Sequence, residues 1–240
     1  MIQPVNRPNN STSPLNRLLA ALPPDEYERF LPSLELVRLP KNRILYEAGE
    51  LVHYGYFPTD GMASLLAITE DGSTLEIGTV GREGYIGVPI LHQAETSAYR
   101  VTVQLPMTAL RVEANQFLFN SNREGPLRTL LSHYAHVVET QLVQSVICIL
   151  THTVEQRLAR RLLMMSDCLE ADTFEVTQEQ LSIILDRHRN RISAALITLR
   201  SMKLIETVRG QLKIVNRQGL EKAVCPCYRI IKKSAEVAML

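Results

Sequence analysis

Apolar positions change period along the chain, and each change marks a different kind of element. Leu15, Leu18, Leu19 and Leu22 recur at three- and four-residue steps behind Ser13-Pro14, a cap followed by an N1 proline. That spacing predicts a short helix ended by Pro23-Pro24. Asp25 to Leu31 reads as a second one. From about Leu34 to Val112 the texture becomes short alternating runs, such as Leu36/Arg38, Leu75/Ile77 and Val101/Val103. Turn signals at Ala48-Gly49, Thr59-Asp60-Gly61, Glu70-Asp71-Gly72, Gly81 and Gly84 break them. Strands and turns at this rhythm predict an antiparallel β-roll or barrel. After Pro126 the helical period returns, with Leu127, Leu131, Tyr134, Val138, Leu142 and Ile149 on one stripe. So long a stripe has to meet a partner. Pairing with a second copy of the chain is the expectation, and packing on the chain's own β domain is the plainer alternative. Gln141, Ser145 and Cys148 near the same seam would weaken packing and set register. Thr153 to about Cys168 reads as a further helix, closed by the turn Glu170-Ala171-Asp172.

Thr177-Gln178-Glu179-Gln180 is a capping-box pattern, and Leu181, Ile184 and Leu185 give the helix it opens one apolar face. Asp186 sits where a tight turn needs a residue tolerant of left-handed geometry. A second helix follows, with Ile192, Ala195, Leu196 and Leu199 on its buried side. Its other face begins with Arg189, Asn190, Ser193, Ala194 and Ile197, so the polar end is the N-terminal end. That is the end a recognition helix inserts into a major groove. Arg and Asn carry paired donors and acceptors that match guanine and adenine edges, whereas Arg187, His188 and Arg191 are placed for phosphates. Leu204 to Val215 alternates and turns at Arg209-Gly210, a hairpin with a basic tip to which Lys213 adds.

Charge sharpens this picture only locally. The chain has 26 Lys and Arg against 25 Asp and Glu, a formal net charge of +1, so the whole molecule predicts no polyanion partner. From Arg187 to Lys213, however, seven basic residues face one acid, Glu206. An apolar share of 45% and a charged share of 21% fit a globular protein and exclude disorder. No apolar run approaches a membrane span or a secretory signal, so a cytoplasmic protein with no membrane partner is expected, its residues 1–14 a mobile arm. Four unevenly placed cysteines, Cys148, Cys168, Cys225 and Cys227, do not make a disulfide framework. Cys225-Pro226-Cys227 could chelate a soft metal or form a redox pair, but no second pair with ligand spacing accompanies it, and no metal site is assigned. No nucleophile and base, phosphate-cradling loop or carboxylate pair stands out, so no enzyme is expected.

With these elements in order, the chain resembles the CRP/FNR superfamily of regulators, related to the cyclic-AMP receptor protein. The resemblance spans roughly Leu15 to Leu220. It rests on the helix-turn-helix of Thr177 to Leu199, the hairpin of Leu204 to Val215, and the run Ile44-Leu45-Tyr46-Glu47-Ala48-Gly49-Glu50 leading to Tyr56-Phe57 and Gly61. It implies an α+β fold: a cyclic-nucleotide-binding-like antiparallel β-roll over residues 15–122, a long dimerisation helix over 123–152, a winged helix-turn-helix over 153–220, and a C-terminal tail over 221–240. It also implies a homodimer on palindromic double-stranded DNA, acting with RNA polymerase. The family's base-reading positions fall on Arg189, Asn190 and Ala194. Asp186 replaces the usual turn Gly, and His188, a poorer cap, replaces the usual Ser or Thr.

In members that bind cyclic nucleotides, a Gly-Glu-x-Gly turn and a later Arg with Ser or Thr hold the ribose and phosphate. Here the corresponding residues are Gly84-Tyr85-Ile86-Gly87 and Thr96-Ser97, and both charged partners are missing. A buried phosphate without a cation is expensive, so cyclic AMP is not expected and another small ligand stays open. The N-terminal cysteines that hold an iron–sulfur cluster in oxygen-sensing members are absent too, so no cofactor is expected. The alternatives are a cyclic-nucleotide-type module acting through protein contacts, and a thiol- or metal-responsive regulator using Cys225 and Cys227.

Overall fold

The computed structural model describes residues 3–4, 16–185, 189–208 and 211–239. The expected N-terminal cap, Ser13-Pro14, and the 1–14 arm apart from residues 3–4 lie outside them. Strand β1 (Gln3–Pro4) and helices α1 (Arg17–Ala20) and α2 (Pro24–Phe30) precede the roll. Asn16 caps α1, accepting from the Leu19 amide at 3.0 Å. Fully buried, its amide also donates to the Pro58 and Gly84 carbonyls at 2.8 Å each, which pins this helix to the roll.

The roll comprises β2 (Glu35–Leu39), β3 (Ile44–Tyr46), β4 (Tyr54–Pro58), β5 (Met62–Ile68), β6 (Thr74–Val80), β7 (Arg100–Leu105) and β8 (Met107–Glu113), with α3 (Val88–Leu91) ahead of β7. Two antiparallel sheets result, ordered β1-β2-β8-β4 and β3-β7-β5-β6. Alternation in the sequence becomes alternation in burial: Val101, Val103 and Leu105 of β7 point inward while Arg100, Thr102 and Gln104 do not. At the start of β5, Gly61 has φ +66°, and a Cβ there would meet the Pro106 carbonyl at 2.2 Å, so only glycine fits.

Helix α4 (Ala114–Ser121) leads into α5 (Pro126–Thr151), which lies across the edge of the second sheet. The Gln141 side chain accepts from the Thr79 amide at 2.8 Å and donates to the Thr79 carbonyl at 3.1 Å, and Ser145 donates to the Ile77 carbonyl at 3.0 Å. These side chains pair edge strand β6 as a neighbouring strand would, satisfying groups that would otherwise be left unpaired. Their polarity therefore serves the chain's own sheet.

The apolar stripe of α5 likewise differs from the expected dimer seam. Leu127, Leu131, Tyr134 and Val138 are buried in the core of their own roll, while Leu142 and Ile149 are partly buried. The apolar side chains that α5 leaves exposed are Val143, Val146, Ile147 and Leu150. Periodicity identified the helix; the side it buries was decided by the roll packed beside it.

Beyond α5 come α6 (Val154–Leu169), β9 (Thr173–Glu175), α7 (Gln178–Leu185), α8 (Arg189–Ser201), β10 (Ile205–Val208), β11 (Gln211–Ile214), α9 (Arg217–Ala223) and α10 (Pro226–Val237). They enclose a second core built from Leu158, Leu162, Leu181, Ile192 and Leu212 among others. The expected tail over 221–240 is instead largely helical. Cys225 precedes Pro226 at the first turn of α10, and Tyr228, Ile231 and Ala238 fall on its buried face. The helix runs back antiparallel along α5: Cys225 meets Cys148 at its start, and farther on Ser234 meets Thr140 at 3.4 Å.

Candidate nucleic-acid interface

Helix α7 starts as the capping box predicts. The Thr177 hydroxyl accepts from the Gln180 amide at 3.1 Å, and the Gln180 side chain accepts from the Thr177 amide at 2.9 Å. Its other end is closed by Arg157 of α6, which donates to the Leu185 carbonyl, one of the carbonyls a helix leaves unpaired. Leu181, Ile184 and Leu185 are buried, as are Ile192, Ala195, Leu196 and Leu199 of α8. With one side of α8 held in the core, the opposite side is presented: Asn190, Arg191, Ala194, Ile197 and Thr198 are exposed, Ile197 by 60%. Ser193, at the border of the two sides, donates to Gln178 of α7 at 3.2 Å and braces the two helices. Thr177 and Gln178 are exposed beside them. Arg187, His188 and the Asp186 turn lie outside the described residues, as does the side chain of Arg189, whose backbone opens α8.

The hairpin that follows pairs Ile205 with Ile214, Glu206 with Lys213 and Val208 with Gln211, and β11 also pairs with β9. Leu212 and Ile214 point into the domain while Gln211 and Lys213 are exposed. The tip, Arg209-Gly210, lies outside the described residues.

The roll and this domain are joined by buried charge. Arg161 of α6 meets Glu76 of β6 at 2.7 Å, and the Ser64 hydroxyl donates to the same carboxylate at 2.6 Å. Burial holds the Glu76 carboxyl above the usual carboxylate range against the pull of Arg161. A cavity of about 470 Å³ opens nearby between β6, α5, α6 and α10, with Arg17, Glu83, Asp167, Arg217 and Lys232 among its walls. Burial also pushes the Glu83 carboxyl up, although it accepts from the Gly81 amide at 2.8 Å.

The segment that the resemblance places at a phosphate cassette is closely packed. Tyr85 and Ile86 are buried, and Tyr85 packs against Phe57, Phe117 and Tyr134 with ring centroids 5.8, 5.7 and 5.5 Å away. A Cβ on Gly84 would lie 1.7 Å from the Tyr134 ring, so α5 rests directly on this backbone. Gly87, at φ +132°, starts α3, Ser97 is buried with its hydroxyl donating to the Tyr99 carbonyl at 2.7 Å, and Thr96 is exposed.

One further group of chemically active side chains comes together. Cys148, His152, Cys225 and Cys227 bring their ligand atoms within 4.8 Å of one another. The sequence singles out Cys225 and Cys227 as a possible ligand pair, places Cys148 near the α5 seam, and does not mark His152. The signal available was the four-residue spacing of Cys148 and His152, which puts both on one side of the last turn of α5.

A β-roll sensor module carried by a long helix into a winged helix-turn-helix defines a DNA-reading regulator. Comparison with known families agrees by region: residues 36–119 match the cyclic nucleotide-binding domain, and residues 156–223 match the Crp-like helix-turn-helix domain. Among solved structures, FixK2 from Bradyrhizobium japonicum superposes with a TM-score of 0.69 at 15% identity, covering 80% of this chain and 98% of that one. The c-di-GMP-responsive global regulator CLP of Xanthomonas campestris gives 0.63 at 16%, covering 79% and 98%. TTHA1359, a CRP/FNR-family transcriptional regulator from Thermus thermophilus, gives 0.61 at 17%, covering 79% and 97%. No curated protein matches by sequence. The chain belongs to the CRP/FNR superfamily of transcription regulators. Among the described residues, no helix is long and apolar enough to cross a membrane.

Proposed function

We propose that two copies of this regulator bind a palindromic site in double-stranded DNA, each inserting the start of α8 into the major groove, and act on transcription through RNA polymerase. The observation that carries this reading is the exposed polar start of α8 on a helix whose other side is fully anchored. Arg189 and Asn190 read base edges, and Ala194 with Ile197 suit the thymine methyl group. Arg187, His188, Arg191, Arg209 and Lys213 hold phosphates, joined by Thr177, Gln178 and Ser193 around the start of α7. The copies pair through the exposed Val143, Val146, Ile147 and Leu150 of α5, whose spacing suits a helix–helix seam. Cyclic AMP is not the effector in this reading, because Gly84 to Gly87 carry no cation and their surroundings are filled. The 470 Å³ cavity beside Glu83 and Arg217, where roll and DNA-reading domain meet, is the better place for a small effector. Replacing Arg189 by Ala tests the base-reading role: discrimination at one position per half-site should fall by about 1–3 kcal/mol. An equal loss of affinity on all DNA sequences would make Arg189 a phosphate contact instead.

A further inference from the structure

Three of the four cysteines, Cys148, Cys225 and Cys227, form a small buried cluster of their own, apart from both hydrophobic cores. Cys148 and Cys225 are fully buried and Cys227 nearly so. Ordinary buried cysteines behave as small apolar residues and scatter through a core. Here the sulfurs meet each other: Cys148 Sγ lies 3.5 Å from Cys225 Sγ, and Cys227 Sγ lies 3.7 Å from His152 Nδ1. For a tetrahedral ion with metal–sulfur bonds of about 2.3 Å, the sulfurs sit about 3.8 Å apart, with nitrogen slightly closer. The observed separations are those of a ligand shell already near its working size.

The two ligand pairs come from rigid positions. Cys148 and His152 share the final turn of α5, whose closing bond runs from the His152 amide to the Cys148 carbonyl at 3.2 Å. Cys225 caps α10 and Cys227 lies in its first turn, where the helix dipole favours thiolates. The guanidinium of Arg160 acts electrostatically on all three sulfurs. Three thiolates and a neutral imidazole around a divalent cation leave one negative charge, and Arg160 is placed to balance it.

We propose that Cys148, His152, Cys225 and Cys227 bind one thiophilic divalent cation, with zinc the best fit to the donor set, and that the ion clamps the start of α10 to the junction between α5 and α6. Three sulfurs and one nitrogen with no open position form a closed, structural kind of site. His152 lies between the end of α5 and Thr153, which caps α6 through Gln156, so the clamp sits where the sensor half hands over to the DNA-reading half. Binding releases the thiol protons to solvent, and no electron transfer is involved.

The test uses the full chain purified under reducing conditions and loaded with zinc or cobalt. One equivalent of metal per chain is expected, with the intense ligand-field absorption of tetrahedral cobalt and sulfur-to-metal charge transfer. Cys227→Ser should lose the stoichiometric metal. In the unmodified protein, which needs no substitution to fold, zinc should shield Cys148, Cys225 and Cys227 from alkylation, and a chelator should expose them. Chelation should also speed amide exchange in α10 while leaving the β-roll strands unchanged. Absence of stoichiometric metal, or a Cys148–Cys225 disulfide in its place, would overturn the site. Exchange in α10 that ignores the metal would overturn the clamp. Metal content and thiol protection are read without DNA, so their outcome is separate from that of the DNA-binding proposal.

Discussion

Two short segments on which the resemblance to the superfamily would place function face opposite ways in this chain. The stretch Gly84 to Gly87, in the place of a phosphate cassette, is turned inward, with Tyr85 among Phe57, Phe117 and Tyr134. The start of α8 is turned outward, with Asn190, Arg191 and Ala194 exposed. The first segment is packed and carries no charge, and the second is polar and exposed. A substitution in the inward segment is therefore expected to act on folding, and one at the outward helix start on whatever that surface meets.

The comparison can be broken most forcefully at Tyr85. Cutting it back to Ala should remove about 3–5 kcal/mol from the stability of the roll, the usual result of emptying a large aromatic site. Denaturant unfolding measures this, and a loss below about 1 kcal/mol would show the segment to be loosely packed. At the other surface, Thr177→Ala should cost about 1 kcal/mol through loss of the capping box. Its amide exchange should rise in α7 and not in the roll.

The smallest effect concerns the boundary between the two halves. Glu83 has a carboxyl raised by burial, with Arg17 and Cys168 facing it. A raised carboxyl makes a contribution that is fully present below its unfolded value and lost as pH rises through its folded value. Glu83→Gln should therefore flatten the stability curve across that window and stabilise the protein slightly at neutral pH. Thermal unfolding as a function of pH checks the sign, and an unchanged curve would remove Glu83 from the account.

Legibility followed the range of the interactions involved. The strands of the roll and the helix-turn-helix were readable because alternation, caps and turns act over a few residues. Leu181, Ile184, Ile192, Ala195, Leu196 and Leu199 are all buried where their spacing put them. The partner of α5 was not readable, since an apolar stripe looks the same whether a second copy or the chain's own sheet covers it. Gln141 and Ser145 show this most clearly, as their hydrogen bonds go to β6. Helix α10 was obscured by the unusual Cys225-Pro226-Cys227, although Tyr228, Ile231, Ala235 and Ala238 recur at helical spacing behind it. The four-ligand cluster needs His152 and Cys227, separated by 75 positions, and only the antiparallel return of α10 along α5 joins them.

The most direct measurement is selection of bound fragments from random duplex DNA with the purified full chain. The account predicts an enriched sequence with dyad symmetry, its half-sites centred about one helical turn, roughly 34 Å, apart, and bound by two copies. Recovery of unselected sequence, or no binding at low ionic strength, would contradict it.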